Sequence, residues 1–218
     1  MKKILSILAL AIIFSLPTTA KAHAIILYPT VDGTIFDFGD DGIVNFINTD
    51  EAIQALDMTG FDSRGILEFD LAGVNDPSNA FLRLYKVASL GAFPMTIDVY
   101  GYPADGALSD ADYNAGAFLT SSNYNDEDVF DLDLTPHLQD AVANAYSFLG
   151  VNLRMHDEYQ GNPPPPYVAW GSLEDEFPPP SELHLTEETG PVVPEPASLL
   201  LLGSGFIGIL SRRKFFTA

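Results

Sequence analysis

The chain has 218 residues, with 30 acidic against ten basic side chains and no cysteine, which excludes disulfide staples and thiolate zinc sites. Six of the basic residues lie near the termini, so between His23 and Gly190 only Arg64, Arg83, Lys86 and Arg154 face 29 acidic residues, a net charge of −25 with histidine neutral. Such a body cannot bind nucleic acid by neutralising phosphates, and it repels anionic lipid and acidic polysaccharide unless divalent cations intervene.

The chain opens with Lys2 and Lys3, an apolar stretch from Ile4 to Leu16, and the small-x-small triplet Ala20-Lys21-Ala22. This pattern reads as a secretory signal peptide, residues 1–22, cut after Ala22, with Ala24 as the alternative. Short apolar runs separated by Gly, Asn, Asp and Pro follow, the pattern of an all-β body over residues 23–187. Ala24 to Tyr28 reads as a first strand, and Thr34 to Phe38 with Ile43 to Asn48 as a hairpin closed through Gly39-Asp40-Asp41-Gly42. Gly65 to Leu71 alternates with Leu67, Phe69 and Leu71 on one face, and Ala80 to Tyr85 with Ala80, Leu82 and Leu84 inward and Arg83 opposite. Met95 to Tyr102 continues the pattern, and Val129 to Leu134 turns Phe130, Leu132 and Leu134 inward and Asp131 and Asp133 outward. Ser147 to Met155, Tyr167 to Trp170 and Glu182 to Thr186 supply the last strands.

Two helical pieces interrupt the strands. Thr135 reads as an N-cap ahead of Pro136, with Leu138, Ala141, Val142, Ala145 and Tyr146 at helical spacing, predicting one short amphipathic helix. Ser109 caps a short turn through Asp110-Ala111-Asp112-Tyr113. The proline-rich stretches Asn162 to Pro166 and Pro178 to Pro180 read as rigid connections, and residues 188–192 as a polar linker.

The order Arg64, Leu67, Phe69-Asp70-Leu71, Ala80-Phe81-Leu82-Arg83-Leu84-Tyr85, Phe130-Asp131-Leu132, Gly150-Val151-Asn152-Leu153-Arg154 and Pro180-Ser181-Glu182-Leu183 resembles the DNRLRE-type domain. That resemblance covers roughly Ser63 to Glu187 and implies a jelly-roll β-sandwich similar to carbohydrate-binding modules. No ligand-contacting motif of the family maps onto this chain residue by residue, and fold alone does not give function.

Candidate chemistry is sparse. Asp110-Ala111-Asp112-Tyr113-Asn114 has the 1-3-5 spacing of an EF-hand-like loop, but Ala115 stands where glycine is needed and Ser121 where an acidic ligand is needed. Capping of the turn is the better reading. Asp110 and Asp112, with Asp126 and Asp128 of the Asp126-Glu127-Asp128 run, stay as candidate calcium ligands, and calcium is the one cofactor entertained. Sugar rings stack on exposed aromatic faces, which makes Tyr100, Tyr102, Tyr159 and Trp170 the candidate glycan contacts, against the alternative of core packing. Tyr100 and Tyr102 share a strand face across Gly101. His23, His137, His156 and His184 are scattered, and no nucleophile-elbow motif is present, so the body reads as non-enzymatic.

The C-terminus carries Val193-Pro194-Glu195-Pro196, an apolar run from Ala197 to Leu210, and Arg212-Arg213-Lys214. Fourteen helical residues cover about 21 Å of a hydrocarbon core about 30 Å thick, a marginal span suited to transient residence in a membrane. The basic cluster stays cytoplasmic by the positive-inside bias. Residues 193–218, with the transmembrane segment 197–210, resemble the PEP-CTERM sorting signal of Gram-negative envelope proteins. The resemblance implies an exosortase as partner, cutting near Pro194-Glu195-Pro196. Taken together, the expectation is an exported protein held briefly in the inner membrane and delivered to the cell surface or matrix. Its role there is structural or glycan-associating, in exopolysaccharide or biofilm. The alternatives are a specific calcium-assisted carbohydrate-binding module and, behind it, a polysaccharide-acting enzyme.

Overall fold

Among the described residues, alternation of apolar and polar side chains is realised as twelve strands and two short helices. In chain order these are β1 (Lys21–Leu27), β2 (Val31–Asp37), β3 (Phe46–Asn48), β4 (Ile53–Met58), β5 (Phe61–Asp70), β6 (Pro77–Leu90), β7 (Met95–Ala104), α1 (Asp110–Tyr113), β8 (Ala117–Tyr124), β9 (Val129–Asp133), α2 (Thr135–Ala143), β10 (Phe148–Met155), β11 (Tyr167–Trp170) and β12 (Glu182–Thr189). The computed structural model describes residues 21–49, 52–156, 166–174 and 178–189. Two compact units are distinguished, one of Met1–Ala22 with Glu188–Ala218, the other of His23–Glu187, which contains the fold described below. The signal peptide up to Ala20, Tyr159, and the tail 193–218 with its apolar segment 197–210 lie outside the described residues. No helix among the described residues is long and apolar enough to cross a membrane.

The strands run in the order β1-β12-β6-β11-β4-β5-β10-β7-β8, with β2 joining β5 and β3, and β9 joining β6. Strand β6, fourteen residues long, serves two neighbourhoods. Its first half pairs with β12 and β9, through Leu82↔Leu183 and Leu82↔Leu132. Its second half pairs with β11, through Ala88↔Ala169 and Lys86↔Trp170, with a bulge between Ala169 and Trp170. A strand shared in this way curls the sheet, so that residues from both neighbourhoods meet in one core.

That core joins Leu67 and Phe69 of β5, Leu82 and Leu84 of β6, Ile97 and Val99 of β7, Leu132 of β9, Leu138 of α2, Val151 and Leu153 of β10, Trp170 of β11 and Leu183 of β12. Full burial of each large apolar side chain contributes roughly 1.5–3 kcal/mol. The alternation expected for Leu67, Phe69, Leu71, Ala80, Leu82, Leu84, Phe130 and Leu132 is the one observed, all being buried in this cluster. Arg83 faces out and holds Asp131 through two contacts of 2.9 and 2.8 Å.

The opposite face of β5 is covered as well. Ile66 packs with Ile35, Tyr102 and Tyr113 in a second apolar cluster beneath α1. Burial on both faces leaves Glu68 and Asp62 inside, where simple alternation would put them in water. Three local readings are revised. Strands β4 and β8 were not expected from the sequence. Glu188 and Thr189, expected in a linker, continue β12, while Lys21 and Ala22 begin β1. The residue at the α2 N-cap is Leu134, not Thr135. The Thr135 hydroxyl is taken by β6, accepting from the Ala80 N–H at 2.9 Å.

Candidate functional site

The candidate residues fall into three places. Trp170 is fully buried, edge-on to Tyr124 with ring centroids 6.2 Å apart. Its faces belong to the core, and it is not a sugar-stacking platform. Tyr102 is 6% exposed. Its hydroxyl donates to Glu68 Oε1 at 3.0 Å across the intervening strand β10. Gly150 sits in the same row, and a Cβ there would fall 2.4 Å from Tyr102 Cζ, so the ring lies flat over the glycine. The Tyr100–Tyr102 pair therefore does not form a joint platform, because Tyr102 is committed to a buried carboxylate. Only Tyr100 of the pair reaches the surface.

Around Tyr100 one face of β10, β7 and β8 carries polar and aromatic side chains in contact. The Arg154 guanidinium stacks 3.9 Å from the Tyr100 ring centroid. Phe118 of β8, opposite Tyr100 in the register, meets it edge-on at 5.7 Å and is 56% exposed. Asp98, in the same face, accepts from the Ser121 hydroxyl at 2.5 Å and holds His156 Nδ1 at 3.0 Å. Burial, and then the charge of Arg64, pull the Arg154 pKa down to about 10.

Two of the four basic side chains of the body are organised by α1. Ser109 donates from its N–H and its hydroxyl to the Asp112 carboxylate at 2.8 and 3.0 Å, as expected of a capped turn. The carbonyls at the other end of α1 need donors. Arg64 donates to the Tyr113 carbonyl at 2.6 Å, Asn152 to the Asp112 carbonyl at 2.8 Å, and Arg154 to the Ala115 carbonyl at 3.0 Å. The Tyr113 side chain passes beneath, donating to Asp62 at 2.6 Å and lying 3.3 Å from Asp37. Asp37 is desolvated, which raises its pKa, but N–H donors at Gly39, Gly42 and Asp41 and the Tyr113 hydroxyl outweigh this and hold it below the ordinary value. For Glu68 burial dominates and pushes the pKa up.

The calcium candidates are separated and differently employed. Asp112 belongs to the cap of α1, and Asp110 is exposed beside it. Asp126 and Asp128 converge on Lys86, whose ammonium lies 3.2 and 3.1 Å from their carboxylates. A lysine stands where a cation was expected. Among the described residues no group of three acidic or histidine side chains could hold a metal ion. The residues that sequence reasoning passed over are Phe118, Arg64 and Arg154. The signal for the arginines was available: with four basic side chains among 29 acidic ones, each is expected to organise carboxylates or carbonyls around itself.

The C-terminal segment is decided by its sequence. Residues 192–214 match the PEP-CTERM protein-sorting motif. The match takes in Val193, Pro194, Glu195, Pro196, Arg212, Arg213 and Lys214, the residues expected to direct sorting. The PEP-CTERM motif marks an exported protein, transiently membrane-anchored and sorted by exosortase. No curated protein matches the chain.

Proposed function

We propose that the chain is a non-enzymatic envelope or extracellular protein whose DNRLRE-like, jelly-roll body associates with exopolysaccharide or a biofilm matrix after exosortase processing. The observation that carries this reading is the PEP-CTERM motif at residues 192–214. The curled, mostly β sheet that switches neighbourhoods at β6 and closes on a shared core supports a β-sandwich reading of the body. The non-enzymatic reading is supported by the employment of carboxylates in internal hydrogen bonds, as at Asp37, Asp62, Glu68 and Asp112. For glycan contact, the supporting feature is the rim of Tyr100, Phe118 and Arg154, which offers an exposed aromatic edge beside a guanidinium.

Two experiments test the reading. Pro194→Ala with Glu195→Ala, expressed in a host that carries an exosortase, leaves the protein in the membrane fraction with its tail attached. An unchanged mature mass in the double variant overturns the processing step. Affinity electrophoresis of the full chain through polysaccharide gels reports glycan contact. Retention that survives both Tyr100→Ala and Phe118→Ala places the glycan elsewhere, and no retention on any polysaccharide removes the glycan role while leaving the sorting intact.

A further inference from the structure

Among the described residues four strands have an unpaired edge, namely β1, β3, β8 and β9. An open edge invites pairing with another chain, and proteins blunt such edges with charge, proline, bulges or shortness. Strand β1 carries Lys21 and His23, β3 has three residues, and β9 carries Asp131 and Asp133. Strand β8 is blunted by a single bulge against β7, where the register shifts between Val99↔Thr120 and Tyr100↔Phe118. Its eight residues, Ala117-Phe118-Leu119-Thr120-Ser121-Ser122-Asn123-Tyr124, contain no charge, no proline and no glycine, in a body of net charge −25. At about 3.3 Å per residue it offers an edge of roughly 26 Å.

The edge opens into a cleft. A cavity of about 390 Å³ lies between Phe118, Thr120 and Ser122 of β8 and Asp133, Leu134 and Pro136 at the start of α2. A second, of about 510 Å³, shares Leu119, Pro136 and His137 with it and extends to Asp140 and Tyr146. Leu119 packs toward the core, while Phe118 remains exposed. The charged groups on the cleft are the carboxylates of Asp133 and Asp140, and neither cavity is lined by lysine or arginine.

We propose that the edge of β8 is a docking site for an extended peptide segment bearing lysine or arginine, which adds to the sheet as a strand within this cleft. Main-chain hydrogen bonds to β8 supply the pairing, and alternate side chains of the segment face Asp133 and Asp140, the division of labour of strand addition. Charge selects the occupant. A second copy of this chain would present its own uncharged β8 and its own Asp133 and Asp140, bringing two bodies of −25 together. A basic segment is drawn in by the same field. The inference stands apart from the glycan reading, since it concerns main-chain pairing and not ring stacking.

The test uses the full chain in detergent and two fluorescent octapeptides. One alternates valine with lysine and threonine, and the other has glutamate at each lysine position. Anisotropy titration is expected to show the lysine peptide binding at least about tenfold more tightly than its glutamate counterpart. A lysine peptide N-methylated on alternate amides, unable to complete the ladder, loses binding. Ser122→Lys, which places a charge on the open edge, weakens the lysine peptide by about tenfold. Asp133→Asn with Asp140→Asn narrows the preference for lysine over glutamate, and serves if Ser122→Lys fails to fold. Equal binding of both peptides, indifference to N-methylation, or no binding overturns the proposal. So does a concentration-dependent dimer of the wild-type chain that Ser122→Lys converts to monomer, because a second copy then covers the edge.

Discussion

Two acidic regions of the body are alike in letters and opposite in construction. In and beneath α1, Asp37, Asp62, Glu68 and Asp112 are buried, and each accepts hydrogen bonds from named donors. On the loop after β8, Asp126 and Asp128 have side chains 43% and 93% exposed and share one lysine. A buried carboxylate costs several kcal/mol unless its lone pairs are filled, so the first region demands a fixed set of partners. A solvated carboxylate demands nothing, and its ion pair is screened by water and salt.

The comparison breaks most sharply at Arg64. Its Nε holds Asp62 at 2.7 Å, its Nη1 serves the Tyr113 carbonyl, and its side chain is 15% exposed. Arg64→Ala takes the guanidinium from a buried carboxylate that keeps only the Tyr113 hydroxyl, and one donor from a helix-end carbonyl, a loss of about 3 kcal/mol in unfolding free energy. Urea unfolding measures it. A loss no larger than that of a surface ion pair would mean that water replaces the guanidinium, and the region beneath α1 would not be an interior.

Gly150→Ala comes next. The new Cβ would stand 2.4 Å from Tyr102 Cζ, and the ring cannot move without leaving Glu68. The expected destabilisation is about 2 kcal/mol, with tyrosine fluorescence reporting the displaced ring. Recovery in the double variant Gly150→Ala with Tyr102→Ala would localise the effect to that one contact.

Tyr113→Phe is smaller and depends on pH. Removing the hydroxyl takes a donor from Asp62 and Asp37, at a cost of about 1–2 kcal/mol near neutral pH. Asp37 has a folded-state pKa below its ordinary value of 3.8, so its contribution is present above 3.8 and lost as the pH falls through the folded value. The gap between wild type and Tyr113→Phe therefore narrows below pH 3.8. Glu68 acts in the opposite sense in both proteins. Its pKa is raised above 4.5, so its contribution is full below 4.5 and declines as the pH rises through the folded value. A gap that stays constant down to acid unfolding would separate Tyr113 from the carboxylates.

The contrast also marks how far sequence reading reaches here. Period-two patterning located the core side of β6 and β9, whose other face is polar, and of β5, whose other face is covered by a second apolar cluster. It could not place Tyr102 or Trp170, since an aromatic ring in a strand has the same letter whether a neighbouring glycine admits it inward or not. Strand β8 was missed because Thr120-Ser121-Ser122-Asn123 has loop composition, and its register with β7 from Met95↔Tyr124 to Gly101↔Ala117 makes it a strand. The second layer beneath α1 was hidden for a related reason. Nothing near Asp62 in the sequence announces that Tyr113, 51 residues later, will cover it. The sorting tail was legible because its signal is linear: motif, apolar run and basic cluster in order.

The smallest expected effect lies at Lys86, and it sharpens the comparison by testing whether the loop is a cation site at all. The ammonium donates to the Asp126 carbonyl at 3.0 Å as well as meeting both carboxylates, and Ser89 donates its hydroxyl to the same Asp126 carboxylate. Lys86→Ala should leave the denaturant midpoint inseparable from wild type, as expected for an exposed pair. Calcium needs six to eight oxygens, and it would have to displace the lysine to gain two. The wild-type melting temperature is therefore expected to be the same with calcium and with chelator. In Lys86→Ala the two carboxylates lose their resident cation, and a small calcium-dependent rise appears in that variant alone. A rise of equal size in both proteins would show that calcium binds without using Asp126 and Asp128, and the lysine would then be a neighbour of the acidic loop and not its counter-ion.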